Sequence, residues 1–524
     1  MFVDFRSLED GALIECDLCI IGAGAAGITI ARELAGLRTQ VCLVEAGGLE
    51  AEPDVQDIYA GANVGHRYAD LDATRLRFFG GTTNHWEGFC APLAPIDFEV
   101  RSWVPYSGWP ITRENLDPFY RRAQEICQLG RYAYGAEVWE DLGRKPHDFD
   151  PDAVELCFWQ QSPPTRFGEV YRTELERARN VKVLLHGNVT NIQPDPGVAT
   201  IRHVEVRTLD GKRGRVTAKI YVLACGGIEN ARLLLVSDDV APGGLGNSHD
   251  LVGRFFMDHP HTEPAVVALD DADALFGVYG QHQLKGVPFD PSFCASPVLQ
   301  EREQVLNSHA FLFRRMEQPA GVQAARRLWY EVRQGRVPED LTEQVWTLVR
   351  DLDDVAVFGY SRIVTGERPA PSVETPYLSL RSEQAPNPTS RVTLGHKRDA
   401  LGLRRIELDW RLTEVDWRTV EVMAKALGAE ITRLDLARVR LADWLLDGTA
   451  AWPRGMHGGP HHLGTTRMAA DPKAGVVDAN SRVHGIDNLY VAGSSVFPTG
   501  GCANPTLTIV ALALRLADRL TQLT

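Results

Sequence analysis

Asp17-Leu-Cys-Ile-Ile21, Gly22-Ala-Gly-Ala-Ala-Gly27, Ile28–Leu37 and Val41-Cys-Leu-Val-Glu45 follow one another in close succession near the N-terminus. The two apolar runs read as buried strands, the glycine run as a tight turn, and Ile28–Leu37 as the helix between them. That order is a βαβ unit with a parallel strand pair. Gly22, Gly24 and Gly27 have G-x-G-x-x-G spacing, and with Ala25 and Ala26 they sit where a close backbone approach and a helix N-terminus favour a pyrophosphate. Glu45 ends the second strand, with Ala46 beside it in the same site. Its carboxylate is suited to accept hydrogen bonds from ribose hydroxyls and would repel a 2′-phosphate, which disfavours NADP. A dinucleotide site is therefore expected, the alternative being a glycine turn used only for strand–helix packing. The motif does not choose between FAD and NAD.

At 524 residues the chain has room for two or more domains. Its formal charge of −14 argues against a nucleic-acid partner, which would need clustered Lys and Arg in excess. Nine cysteines occur without a C-x-x-C pair, and an odd total cannot all pair within one chain, so a reducing compartment fits. Met1–Glu15 carries charges throughout and no signal-peptide core, and no apolar run approaches the roughly 18–20 residues that cross a bilayer. The most apolar helix candidate, Leu507–Leu520, is cut by Arg515, Asp518 and Arg519. The expectation is a cytoplasmic protein with no transmembrane segment, export with a signal-bearing partner being left open.

Two further stretches read like parts of a nucleotide-binding fold. One contains Val181-Lys-Val-Leu-Leu, Thr217-Ala-Lys-Ile-Tyr-Val-Leu-Ala-Cys225 and the loop and helix Gly226–Leu235; the other contains the strand Asn488–Gly493 and the helix Pro505–Leu520. Between the glycine-marked pieces, Ala91–Asn180 and His261–Pro453 hold most of the tryptophans and long helical patterns at Leu328–Val349 and Glu414–Leu434. The expected architecture is discontinuous: residues 1–90, 181–260 and 454–524 form the dinucleotide-binding domain, and 91–180 and 261–453 form a substrate-binding domain with cap segments.

Four segments carry a more specific signal: Gly80-Gly-Thr-Thr-Asn-His-Trp86, Gly253-Arg-Phe-Phe-Met-Asp-His-Pro260, His461-His-Leu-Gly-Thr-Thr-Arg-Met468, and Tyr490-Val-Ala-Gly-Ser-Ser-Val-Phe-Pro-Thr499 leading into Asn504-Pro-Thr-Leu-Thr508. In order and spacing they resemble the glucose-methanol-choline (GMC) oxidoreductase family, more narrowly its branch of pyranose oxidases and sugar dehydrogenases. The resemblance covers nearly the whole chain and is poorest in the interiors of the two middle stretches. It implies an α/β fold: a discontinuous FAD-binding Rossmann-like domain and an α+β substrate-binding domain with an antiparallel sheet. It implies FAD as cofactor and oxidation of an alcohol CH–OH group, in a sugar or glycoside, by hydride transfer to flavin N5. Gly80, Gly81, Asn84, His85, Trp86, Val189, Gly493, Ser494, Asn504, Pro505 and Thr506 would then contact the cofactor. The helix opening at Pro505 would place its N-terminus beside the flavin, where negative charge develops on reduction. In some pyranose oxidases the histidine matching His85 is bonded to the flavin 8α carbon, and the resemblance leaves that bond open here. Glu87 replaces a small hydroxyl residue of those oxidases, which puts substrate placement and oxygen reactivity in doubt.

Removing hydride from an alcohol requires a base for the hydroxyl proton, and histidine suits that task. By resemblance His461 is the catalytic histidine and Asn504 stands at the second catalytic position. An asparagine can hydrogen-bond and orient the substrate oxygen but cannot serve as the base. His462 is the near neighbour, and alternation along an extended segment would send the two side chains opposite ways. No metal is expected: Gly458, Gly459 and Pro460 separate His457 from His461 and His462, which prevents a helical ligand pair. Asp258-His259-Pro260-His261 reads as a structural turn near the flavin. Two other functions compete, a lyase of the same fold with FAD as structure and an NAD-linked dehydrogenase. No haem-attachment or iron–sulfur cysteine spacing is present, so oxygen, a quinone and a separate redox protein all stand as electron acceptors.

Overall fold

The computed structural model describes residues 1–268, 272–317, 320–333, 341–352, 355 and 373–523. Leu18, Cys19, Ile20 and Ile21 are buried on both faces, and this apolar end of the strand Ala12–Ile21 lies in the middle of a parallel sheet. On one side follow Val41–Val44, Val181–Leu185 and Phe2–Asp4; on the other, Arg213–Leu223 and then Leu489–Val491, all parallel. An antiparallel pair, Asn188–Pro194 with Ile201–Arg207, extends the sheet along the N-terminal half of Arg213–Leu223. The parallel strands thus come from three separated stretches of chain. Continuous apolar runs suit strands covered on both faces. Helices Ala25–Glu33 and Thr506–Leu523 pack together over the sheet, and Arg113–Ile126 lies against the second of them.

A second sheet is antiparallel, in the order Arg438–Leu441, Pro260–Ala268, Val373–Ser382, Ser308–Glu317, Val287–Ala295, Val154–Gln161, Phe89–Cys90. His457–Gly458 pairs with Pro260–Ala268 beside it. The sheet therefore recruits chain slightly outside the stretches 91–180 and 261–453. Helix Glu414–Arg433 covers one face with Trp417, Val420, Met423, Ala424 and Leu427.

Several local expectations shift. The first helix spans Ala25–Glu33, not Ile28–Leu37, because it starts directly on Gly24 and ends before Gly36, whose φ of +79° breaks helical geometry. Gly226 already belongs to a helix, Gly226–Val236, where a loop was expected. The pattern at Leu328–Val349 divides between helices Ala320–Arg333 and Leu341–Arg350, and its middle, 334–340, lies outside the described residues. Among the described residues all nine cysteines are free, and no helix is long and apolar enough to cross a membrane.

A buried charge pair at the end of strand Val373–Ser382 in the antiparallel sheet reaches the loop after the last parallel strand. Arg101 donates to both oxygens of Glu383 at 2.8 and 2.7 Å, and Glu383 also accepts from the backbone N–H of Asn307 and of Gly501. Such a bidentate pair fixes geometry as well as charge. Through Gly501 it holds the loop that leads to Asn504.

Candidate active site

A cavity of about 500 Å³ opens over the C-terminal ends of the parallel strands, where ligands bind in open α/β sheets. Three helix N-termini meet it: Gly24, Ala25 and Ala26 of the first helix, Gly226 and Gly227 of the second, Pro505 and Thr506 of the last. Helix N-termini present unpaired N–H groups and partial positive charge, so their convergence makes an anion site.

The three motif glycines divide their labour. Gly22 has φ +102°, and a Cβ there would lie 2.6 Å from the Ala224 carbonyl oxygen; a Cβ on Gly27 would lie 1.9 Å from the Gly22 carbonyl oxygen. These two let the strand and helix pack. A Cβ on Gly24 would meet nothing within 4 Å, so this glycine leaves the cavity open. Glu45 accepts from the backbone N–H of Ala23 at 2.8 Å and of Gly47 at 3.1 Å, so the acid shapes the glycine loop while lining the cavity. A smaller cavity of about 70 Å³ shares Gly22, Glu45, Tyr59 and Cys225 with the large one and is lined also by Ala46 and Val189. Open space above Gly24, convergent N–H donors and Glu45 at the junction of the cavities fit a dinucleotide.

Most of the cofactor-contact residues expected from sequence line these cavities, including Gly81, His85, Trp86, Gly493, Ser494 and Asn504. Gly27, Gly80 and Asn84 do not. Gly80, with φ +99°, packs against Gly168, and the Asn84 amide donates to the Phe79 carbonyl at 3.0 Å, so both shape the turn that brings Gly81 against Gly24. Tyr59, Arg75, Cys225, Gly226 and Gly227 line the cavity without having been expected. The Gly226-Gly227 pair after a buried strand was the visible signal; Tyr59 and Arg75 carry none in isolation.

A further cavity of about 390 Å³ lies on the antiparallel-sheet side and shares Glu87, Gly459, Pro460, His461 and Asn504 with the large one. His461 and Asn504 thus stand where the two spaces meet. The Asn504 amide donates to His461 Nε2 at 3.2 Å, and His461 Nδ1 lies 2.7 Å from His259 Nδ1. His259 Nε2 faces the Gly501 carbonyl at 2.8 Å. A carbonyl only accepts, so His259 carries its proton on Nε2 and accepts at Nδ1 from His461 Nδ1–H. His461 Nε2 is left unprotonated at the junction, where its lone pair accepts from the Asn504 amide. Both rings are kept neutral: burial pushes His259 down to about 4 and, with the Arg381 charge adding, holds His461 well below the usual histidine range.

Asp258 fastens the arrangement. Its carboxylate accepts from the backbone N–H of His259, Gly459 and His461, at 2.7, 3.1 and 2.9 Å, and from the Tyr68 hydroxyl. Asp258, His259 and His461 offer ligand atoms within 4.8 Å of one another. Those atoms are engaged by the hydrogen bonds just described, which account for the cluster without an ion. His462 also lines the large cavity, and its ring packs against Tyr68 and Phe256.

Comparison with known proteins bears on this geometry. Residues 17–242 match the family described as FAD dependent oxidoreductase, and residues 386–513 match GMC oxidoreductase. The 6'''-hydroxyparomomycin C oxidase of Streptomyces lividus is 26% identical over 95% of this chain and 90% of that protein. The fructose dehydrogenase large subunit of Gluconobacter japonicus is 24% identical over 84% and 80%. The crystal structure of formate oxidase superposes with a TM-score of 0.58 at 18% identity, covering 98% of this chain and 99% of that one, a likeness of fold.

Proposed function

The chain is an FAD-dependent oxidoreductase with a GMC oxidoreductase domain, acting on CH–OH groups, and from that premise we propose that it oxidises a sugar-type polyol with His461 Nε2 as the base. The observation that carries this reading is the unprotonated Nε2 at the meeting point of the two cavities, with the Asn504 amide beside it. Bound FAD supplies the acceptor for the hydride that leaves the C–H bond. The substrate enters the 390 Å³ cavity, whose lining mixes donors and acceptors from Ser379, Tyr377, Glu87 and His261, as a polyol requires. Its hydroxyl would take the place of the Asn504 amide as donor to His461 Nε2, and the displaced amide would donate to the same hydroxyl oxygen, holding the C–H in attacking geometry. As the proton passes to Nε2, His259 accepts from Nδ1–H and keeps the ring in place. The N-terminus of helix Thr506–Leu523 lines the same cavity and would stabilise negative charge developing on bound flavin.

We assign residues 1–90, 181–260 and 454–524 to cofactor binding and 91–180 and 261–453 to the substrate. His85 lines the large cavity, and acid precipitation decides its role: flavin remaining with the protein means a covalent bond, flavin in the supernatant means none. Readmitting air after anaerobic reduction separates oxygen from a quinone or a redox protein as acceptor.

The pH dependence tests the base. Only neutral His461 accepts a proton, and its pKa lies well below the ordinary ~6.5. Flavin reduction followed anaerobically should therefore be flat from about pH 6.5 to 8 and fall only at more acid pH. A limb with an apparent pKa at or above 6.5 would count against His461 in this environment.

A further inference from the structure

Tyr377, Ser379 and Arg381 alternate along the strand Val373–Ser382, so all face one side of the sheet, and all line the substrate-side cavity with His461 and Asn504. Arg381 stands opposite His261 on one neighbouring strand and His309 on the other, with Phe89 and Phe311 rings 5.3 and 5.2 Å from its Cζ. It is 8% exposed, and its buried Nε and Nη1 have no hydrogen-bond partner. No salt bridge reaches it among the described residues. The carboxylates of Glu87, exposed in the same cavity, and of buried Asp290 are near enough to act on its charge, but neither forms a salt bridge with it. Three other buried arginines are paired with carboxylates: Arg75 meets Glu229 at 2.8 Å, Arg101 meets Glu383 at 2.7 Å, and Arg232 meets Asp399 at 2.6 Å. Arg467 has the same unpartnered Nε and Nη1, but its Nη2 donates to the Tyr106 carbonyl at 2.5 Å.

A guanidinium withdrawn from water without an acceptor is costly, and buried charges are ordinarily paired. Here the aromatic rings cover its faces and supply nothing to its N–H edge. Arg381 lines the space the substrate enters. A carboxylate matches a guanidinium fork with two parallel charge-assisted hydrogen bonds, which a lone hydroxyl does not.

We propose that Arg381 is the specificity-determining residue of this site and selects substrates that carry a carboxylate as well as the oxidised CH–OH, that is, sugar-type hydroxy acids. The inference rests on the polyol-oxidising reading above and narrows it. The test uses the FAD-loaded enzyme with a matched pair, methyl β-D-glucopyranoside and its C6 carboxylate, methyl β-D-glucopyranosiduronate. Half-saturation of anaerobic flavin reduction should come at a concentration at least about 10-fold lower for the acid, the lower end of what hydrogen bonds to a charged group contribute. In Arg381→Gln that advantage should collapse, and Arg381→Lys, which keeps the charge without the fork, should restore part of it. Flavin content and melting temperature establish that each variant is folded. Equal half-saturation for the two glycosides in the parent, a preference for the neutral one, or an equal loss for both in Arg381→Gln overturns the proposal. Should neither compound reduce flavin, the broader reading fails separately. Arg381 is then judged by binding: the glucuronoside should perturb the flavin spectrum of the parent and not of Arg381→Gln, and an equal perturbation in both overturns the assignment.

Discussion

His461→Ala is expected to keep its fold and its FAD while reducing bound flavin about 10²–10⁴-fold more slowly, the usual contribution of general acid–base catalysis. The ring lies at the edge of the cofactor cavity, so its loss opens space without disturbing the glycine loop or Glu45. What disappears is the lone pair that takes the hydroxyl proton. Stopped-flow reduction without oxygen reads the effect, and saturation behaviour should change much less than the limiting rate. His462→Ala is the control. Its ring packs against Tyr68 and Phe256, and Asn504 donates to His461 instead, so its loss should leave the limiting rate near that of the parent. A parent-like rate in His461→Ala with a slow His462→Ala would exchange the two roles.

Gly24→Val is expected to yield a folded protein that takes up almost no flavin. The backbone there is extended, at φ −87°, which valine adopts readily, and the first atom of its side chain would meet no protein atom within 4 Å. The side chain therefore starts in open space and fills the region over the helix N-terminus where a pyrophosphate would sit. Absorbance at the flavin band relative to protein measures the loss. Gly22→Val and Gly27→Val should behave differently, failing to fold, since their side chains would strike backbone at 2.6 and 1.9 Å. A Gly24→Val protein with full flavin would remove the glycine loop from the cofactor site.

The parallel sheet was legible because its strands are apolar on both faces and are bounded by glycine turns, as in Leu18–Ile21 before Gly22. The cofactor cradle was legible for a related reason: glycine spacing reports directly on where backbone must approach closely. Gly80 and Asn84 show the limit, since one motif supplies both cavity-lining residues and the residues that shape the turn behind them, and spacing does not separate the two. His461 and Asn504 could be named from their segments. Their environment could not, because His259, Arg381 and Gly501 reach them from distant strands and loops. Asp258-His259 read as a structural turn, and only the fold shows that its histidine sets the tautomer of His461. Tyr377, Ser379 and Arg381 were invisible for the same reason: alternation along a strand says which residues share a face, not that the face floors a cavity.

The central claim is that a C–H bond of an alcohol breaks with transfer of hydride to the cofactor while His461 takes the hydroxyl proton. Anaerobic mixing of the FAD-loaded enzyme with a sugar or sugar acid, deuterated at the reacting carbon in a parallel sample, tests it most directly. The account predicts bleaching of the flavin band, slower for the deuterated compound, and carbonyl product equal to the flavin reduced. Conversion of the compound with the flavin band unchanged, as a lyase would give, would contradict it.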